Sequence, residues 1–369
     1  MMVLESGVGN YVSAGGQKYS CFAGNNYLGL ANHPDIIEAS IQGAKKYGIN
    51  FSASRLTSGT SDIHLELEQQ LATFKQHEDA VVFASGYMGN KILLQILRNE
   101  YDAVFADQSA HSSILDAIPR DITGFYFYDH LNIKDLDNQI QKHKSLNPLV
   151  ITDGIFALTG EIAPLDKLYQ VVKNNNGLLV VDDAHSTGVL GDHGLGTPEH
   201  FGLGDASRIF QTETMSKAIG AYGGFIAGSK DLTRKIRAQS PAYGASTSLP
   251  PPLVSAAISA LRIIGEHPEL RSKMFVNAAR IRAGLNNSGF HTTDSCTPII
   301  PVLFEKQADA ISLSDFLKDH FILAPYVSYP VKTIQFIVRI TASAIHTEQQ
   351  IDELLLVLEK WKRKNDDRC

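Results

Sequence analysis

An α/β fold with one large and one small domain is predicted by three features of the sequence. Seven short apolar runs recur between amphipathic stretches, at 80–84, 103–106, 124–128, 149–152, 178–182, 208–212 and 224–228. Several of them, such as Leu178-Leu179-Val180-Val181, lack the polar alternation of a half-buried strand. Strands covered on both faces of a mostly parallel sheet read this way. Pro250-Pro251-Pro252 then interrupts the pattern, and the chain beyond it is of a different kind.

Between the strands lie helical patterns, at 62–76 and 133–143 among others, and this alternation is what a layered α/β domain requires. After the prolines a long helical stretch is expected over 253–285. It is followed by a strand at 298–304, a helix at 312–320 and a strand at 336–341. A last helix carries Ile351, Leu354, Leu355 and Leu358 on one face. The charged end, 362–369, is expected to fray. The expected division is therefore an N-terminal segment at 1–45, a large domain at 46–252, and a connecting helix with a small α+β domain at 253–369.

Composition excludes several functions. The 369 residues are 44% hydrophobic and 20% charged, ordinary values for a soluble globular protein. A net charge of −6 offers no basic field for nucleic acid or an anionic membrane. No apolar run approaches the length needed to cross a bilayer. Residues 1–16 lack the basic and then apolar order of a signal peptide. Cys21, Cys296 and Cys369 are odd in number and far apart, which fits neither a disulfide framework nor a metal site. A reduced, cytoplasmic protein is expected.

The chemistry is carried by three residues in a telling order: His111, then Asp182 in Asp182-Asp183-Ala184-His185, then Lys217 in Thr214-Met215-Ser216-Lys217. A lysine amine can form a Schiff base with a carbonyl. An aspartate closing an apolar strand can hold a pyridinium nitrogen protonated, and a histidine can lie over an aromatic ring. Together they describe a site for pyridoxal 5'-phosphate (PLP). Taken singly, Lys217 reads as a surface lysine, His111 as a capping or core histidine and Asp182 as a strand-end acid. Ser85-Gly86-Tyr87 follows a strand and opens a helical stretch, so its free N–H groups suit a phosphate. Thr214 and Ser216 add hydroxyls near the lysine. Arg339 lies in an otherwise apolar strand, where a guanidinium calls either for a bound carboxylate or for an internal ion pair. The glycines of 191–196 stand in the wrong order for a dinucleotide fingerprint, and that stretch reads as a loop.

A set of motifs goes further. Asn25-Asn26-Tyr27-Leu28-Gly29-Leu30 is followed by Ser54-Arg55-Leu56-Thr57-Ser58-Gly59 with His64 and Glu68, then Ser85-Gly86-Tyr87 and His111. After these come 182–188, 214–217, Ser246-Thr247-Ser248-Leu249-Pro250, and 339–346. In this order, over nearly the whole chain, the sequence resembles the α-oxoamine synthases, PLP enzymes that condense a small amino acid with an acyl thioester. The resemblance implies PLP-dependent transferase fold type I, with a mixed seven-stranded sheet in the large domain. It implies Lys217 as the PLP lysine and α-proton base, Asp182 on the ring nitrogen, His111 against the ring and His185 on the phenolic oxygen. It also implies a homodimer in which Ser246 and Thr247 reach the neighbouring subunit's site, and a substrate carboxylate held by Arg339 with Asn25. The forms at 54–59 and 182–189 are most similar to the alanine-using member. Relatives that take glycine or serine, a simple aminotransferase and a catalytically silent protein of the same fold are the alternatives. There are departures from the family pattern. Ala157 stands where a serine is usual, Gly24 where a serine usually precedes the asparagine, and Gly48-Ile49-Asn50-Phe51 lacks the usual extra glycines.

Overall fold

The computed structural model describes residues 2–204, 206–327 and 335–366. Of the charged end expected to fray, 362–366 continue the helix Glu348–Asp366, and 367–369, with Cys369, lie outside the described residues. The contacts group the chain into two compact units. The larger is Pro34–Ile155 with Ile162–Glu266, and the smaller is Met1–His33, Phe156–Glu161 and His267–Cys369.

The larger unit is built on a mixed seven-stranded sheet. Its strands lie in the order Asp79–Phe83, Gly224–Gly228, Ile209–Thr214, Leu178–Asp182, Pro148–Asp153, Ala103–Asp107 and Gly124–Tyr128. Gly224–Gly228 is antiparallel to both its neighbours, and the other pairings are parallel. All seven expected strands are present, within two residues at either end. Ala103–Asp107, Pro148–Asp153, Leu178–Asp182 and Gly224–Gly228 are buried along their whole length, which explains their nearly unbroken apolar sequence. One face packs against Tyr87–Ile96 through Ile92, Leu93 and Leu94, in a core shared with Val81, Val104, Ile151 and Val180. The helices Asp62–Phe74 and Ile133–Lys142 match the expected 62–76 and 133–143.

The long helix expected over 253–285 is two helices, Pro251–Glu266 and Glu269–Asn287. His267-Pro268 parts them, because proline has no N–H to donate and disfavours helical backbone in the residue before it. The first of the two belongs to the larger unit, as does Pro34–Tyr47, so the contact-defined boundaries fall at His33 and Glu266 rather than at 45 and 252.

The smaller unit has two three-stranded sheets. In one, Ile299–Phe304 and Tyr326–Val327 flank Phe336–Thr341, all antiparallel. The helices Glu269–Asn287, Gln307–Asp319 and Glu348–Asp366 cover it, with Ile281, Leu313, Val338, Ile351, Leu354 and Leu358 in one core. The other sheet is a hairpin, Tyr11–Ala14 and Gln17–Cys21, extended by Ile322–Leu323. The hairpin turns through Gly15 and Gly16 at φ +57° and +71°, a left-handed pair that glycine adopts without strain.

Candidate active site

In the larger unit the carboxyl ends of the parallel strands open on a cavity of ≈ 190 Å³. Ligands of open α/β sheets collect at these ends. Lys217, Asp182, His111, His185, Ser85, Gly86, Tyr87, Thr214 and Ser216 all line it, and Ser113, Asp153 and Ala184 complete it. Nine residues expected from sequence at separate points of the chain are thus brought to one place.

Asp182 is the last residue of Leu178–Asp182 and is buried. Its Oδ2 accepts from the Asn90 amide at 2.7 Å and from the Ser113 hydroxyl at 3.5 Å, and its Oδ1 accepts from the Ala184 N–H at 3.1 Å. Asn90 is itself fully buried and accepts from Thr212 Oγ1 at 2.9 Å. These donors orient one carboxylate toward the cavity.

His111 turns out to be both a cap and a cavity wall. It is the N-cap of Ser112–Leu115, where its Nδ1 accepts from the Ser113 N–H at 3.2 Å and lies 2.8 Å from Ser113 Oγ. Burial pushes its pKa below the ordinary histidine value; the Asp182 charge opposes this and the Lys217 charge adds to it. A neutral ring whose Nδ1 accepts carries its proton on Nε2, leaving a donor. Tyr87 stands edge-on to the same ring at 6.3 Å, and its hydroxyl bonds Asp116. His185 is buried at the cavity wall.

At the other end Gly86 precedes the helix Tyr87–Ile96. A Cβ at Gly86 would meet Thr214 Cβ at 2.7 Å, so only glycine lets this backbone lie against the Thr214 strand. Thr214 Oγ1 and Ser216 Oγ are 2.8 Å apart, and the Ser85 hydroxyl accepts from the Tyr87 N–H at 3.3 Å. Helix-start N–H groups beside this hydroxyl cluster form an anion cradle, with an oriented carboxylate in the same cavity. The residues present therefore fit PLP: a phosphate at one end, a ring nitrogen at the other, and an amine, Lys217, on the wall.

Four expected site residues do not line this cavity. Ser246 and Thr247 do not line the cavity; Thr247 forms an isolated antiparallel bridge with Ser54 and is exposed. Asn25 and Arg339 belong to the smaller unit and bond each other, Nη2 to Oδ1, at 2.9 Å. The Arg339 guanidinium also donates to the carbonyls of Ala157 (2.7 Å) and Gly24 (3.0 Å), to Thr341 Oγ1 (2.9 Å) and, at 3.5 Å, to the Tyr27 hydroxyl. All its partners are neutral, and among the described residues no carboxylate pairs with it. The internal ion pair that sequence left open is not what holds it. Two departures from the family pattern take part through their backbones. Ala157 needs only its carbonyl here, and Gly24 sits at φ +79°, where glycine is unstrained. Tyr27 is fully buried, which pushes its pKa up to about 12, with Arg339 opposing.

Sequence reasoning assigned no site role to Asn90, Ser113 or Asp153, although Asp153 stands where the family usually has a glutamate. Asn90 left one trace: it falls on the face of its helix that carries Ile92, Leu93 and Leu94, where a polar residue needs a partner.

Compared with known families, the chain matches the one described as aminotransferase class I and II over residues 19–358. The chain belongs to that family. Within the aminotransferase class I and II family it is similar to α-oxoamine synthases. The 8-amino-7-oxononanoate synthase 1 of Bacillus subtilis (strain 168) is 36% identical over 98% of this chain and 92% of its own length. The 8-amino-7-oxononanoate synthase of Methylococcus capsulatus (strain ATCC 33009 / NCIMB 11132 / Bath) is 37% identical over 96% and 92%. Among solved structures, a serine palmitoyltransferase of S. paucimobilis with a bound PLP–myriocin aldimine superposes with a TM-score of 0.92. It is 29% identical, covering 99% of this chain and 92% of that one. The 8-amino-7-oxononanoate synthase of Francisella tularensis superposes with a TM-score of 0.80 at 25% identity, covering 94% and 98%. The fold is that of type I PLP enzymes, as the resemblance implied.

Proposed function

We propose that this protein is a PLP-dependent acyltransferase that condenses a small amino acid, L-alanine first, with an acyl-CoA or acyl-carrier thioester and releases carbon dioxide. This is the reaction type of 8-amino-7-oxononanoate synthase, a step of biotin synthesis. One observation carries the reading: a single cavity joins Lys217, the strand-end Asp182, His111 and the anion cradle at Gly86. Bound there, PLP supplies a carbonyl for the lysine and an electron sink for charge developing at the amino acid's α-carbon. Asp182 keeps a proton on the ring nitrogen, in a charge-assisted hydrogen bond. His185 donates to the phenolic oxygen. Lys217 Nζ takes the α-proton as general base, and His111 lies against the ring, with its Nε2–H free to polarise the incoming thioester carbonyl. Thr214, Ser216 and the N–H groups at Gly86 and Tyr87 hold the phosphate. Arg339 and Asn25 take the amino acid's carboxylate, exchanging one neutral acceptor for a charged one.

The acting form is a cytoplasmic homodimer in which Ser246 and Thr247 of each subunit contact the other's cofactor. Thr247 is exposed and Ser246 half-buried, which leaves both open to a partner and supports this. No described helix is long and apolar enough to cross a membrane. A serine-using, long-chain reading is the second candidate, favoured by the TM-score of 0.92 to a serine palmitoyltransferase. Glycine C-acetyltransfer is the third.

The deciding experiment titrates the PLP-loaded protein with alanine, glycine, serine and a bulky amino acid against acyl-CoAs of graded length, reading released thiol. Alanine should give the highest kcat/KM, with glycine weaker, since one methyl is worth only about 1–3 kcal/mol in a pocket. Thiol release with serine alone or glycine alone assigns the corresponding relative instead. Amino-group exchange without any thioester makes the protein an aminotransferase.

A further inference from the structure

The cavity holds two carboxylates, and the reading above uses one. Asp153 ends Pro148–Asp153, Asp182 ends the parallel strand beside it, and the two are direct register partners. Both line the cavity. Their surroundings differ. Asp182 collects the Asn90 amide, the Ser113 hydroxyl and the Ala184 N–H. Asp153, among the described residues, receives one backbone N–H, that of His111, on Oδ2 at 2.9 Å.

Two buried carboxylates side by side do not both ionise. The donors fall on Asp182, so the proton falls on Asp153. Its pKa is pushed well above the usual carboxylate range by burial and by the Asp182 charge; the His111 N–H and Lys217 oppose this, and Asp107 adds to it. A neutral carboxyl does not compete with Asp182 for a cation, but its carbonyl-like oxygen still accepts.

What it accepts matters. His111 enters Ser112–Leu115 with its ring committed to Ser113, whose hydroxyl in turn reaches Asp182. The Asp153 bond is the anchor that ties this turn to the neighbouring strand. We propose that Asp153 is a positioning residue for the reaction, pinning the His111 backbone N–H through Oδ2 and so fixing where the imidazole stands in the cavity. The inference rests on the role given to His111 above.

The test pairs Asp153→Ala with Asp153→Asn and reads two quantities. The first is hydrogen–deuterium exchange of the 108–116 peptide in the cofactor-free protein. The second is kcat and KM for alanine with acyl-CoA. Asp153→Ala removes the acceptor: exchange should quicken and kcat should fall, each by roughly tenfold, the effect of one buried hydrogen bond. The Asn side chain resembles the neutral acid in shape and keeps an accepting oxygen, so Asp153→Asn should restore most of both. If the alanine variant does not fold, Asp153→Val, of similar volume and without an acceptor, takes its place. Unchanged exchange in the acceptor-free variant overturns the proposal. So does an asparagine variant that recovers protection while its rate stays as low as that of the alanine variant, because the carboxyl proton itself would then be needed. Should the wild-type protein take up no PLP, the functional reading fails, while the exchange result still judges Asp153.

Discussion

Asn90 offers the sharpest test of how the cavity is held. Its Nδ2 donates to Asp182 Oδ2 at 2.7 Å and to Ser113 Oγ at 3.2 Å, while its Oδ1 accepts from Thr212 at 2.9 Å. One amide therefore ties the helix Tyr87–Ile96 to two strands and to the turn after His111. Asn90→Ala removes a bond to a charged acceptor, worth about 1.5–3 kcal/mol, and strands a buried Thr212 hydroxyl at about 1–3 kcal/mol. The sum, about 2.5–6 kcal/mol before any collapse of the space left, is a large part of a domain's stability. Asn90→Asp separates scaffold from charge. It keeps the shape but sets a second carboxyl within hydrogen-bond distance of Asp182, and such a pair shares one proton. The aspartate variant should recover much of the lost stability yet bind PLP poorly, because the charge meant for the ring nitrogen is spent on the pair. The assays are the urea midpoint of the cofactor-free protein by far-UV circular dichroism, and PLP affinity by visible absorbance. The alanine variant should show a clearly lower midpoint and a PLP Kd raised roughly 10- to 100-fold, as loss of a charge-assisted bond implies. Wild-type PLP affinity in both variants would show that Asp182 needs no support from Asn90, and would refute the reasoning.

Other outcomes are expected. Borohydride reduction of the PLP-treated protein should attach the cofactor to Lys217, and Lys217→Ala should abolish both adduct and turnover; mass spectrometry finding a different modified lysine would move the site. Arg339→Lys keeps the charge but not the five-donor fork, so KM for the amino acid should rise roughly 10-fold or more with a smaller change in kcat, and an unchanged KM would place the carboxylate elsewhere. His346, whose Nδ1 accepts from the Ser343 N–H and whose Nε2 bonds the Cys21 carbonyl, is lowered by burial to about 4. The unfolded chain takes up that proton near pH 6.5 and the native one only near 4, so stability held above pH 6.5 is lost as the pH falls between these values, to a total on the order of 3 kcal/mol. His346→Gln should flatten the dependence of the urea midpoint on pH in that window; an unaltered slope would assign it to other groups.

What could be read from the sequence follows from what each residue must satisfy. The strands of the large sheet were legible because burial on both faces leaves them almost nothing but apolar residues. The hairpin at Tyr11–Cys21 is hard to see in the sequence, although Gly15-Gly16 between Val12, Ala14 and Tyr19 is a turn signal. Its strands are short and half polar, and their burial comes from a distant segment. The break at His267-Pro268 was legible in principle, and apolar periodicity on both sides of it masked the proline.

The site shows a different limit. Lys217, Asp182 and His111 stand out because the chemistry admits few residue types and their order along the chain is informative. Asn90 and Asp153 do not stand out, because each gains its meaning from a register partner or a facing strand: Asn90 and Asp182 are neighbours across 92 positions of sequence. The converse also holds. Arg55, His64 and Glu68 belong to the motifs that mark the family, yet the structure gives them a scaffolding task. Arg55 and Glu68 form a buried ion pair at 3.0 Å, Glu68 accepts from the Val82 N–H at 3.1 Å, and His64 bonds the Leu249 carbonyl at 2.8 Å. A buried pair of this kind contributes less to stability than to fixing one arrangement. Here that arrangement holds the edge strand whose end delivers Ser85 and Gly86 to the cavity. A shared motif therefore mixes residues that perform the chemistry with residues that hold them in place, and only the contacts each side chain makes tell the two apart.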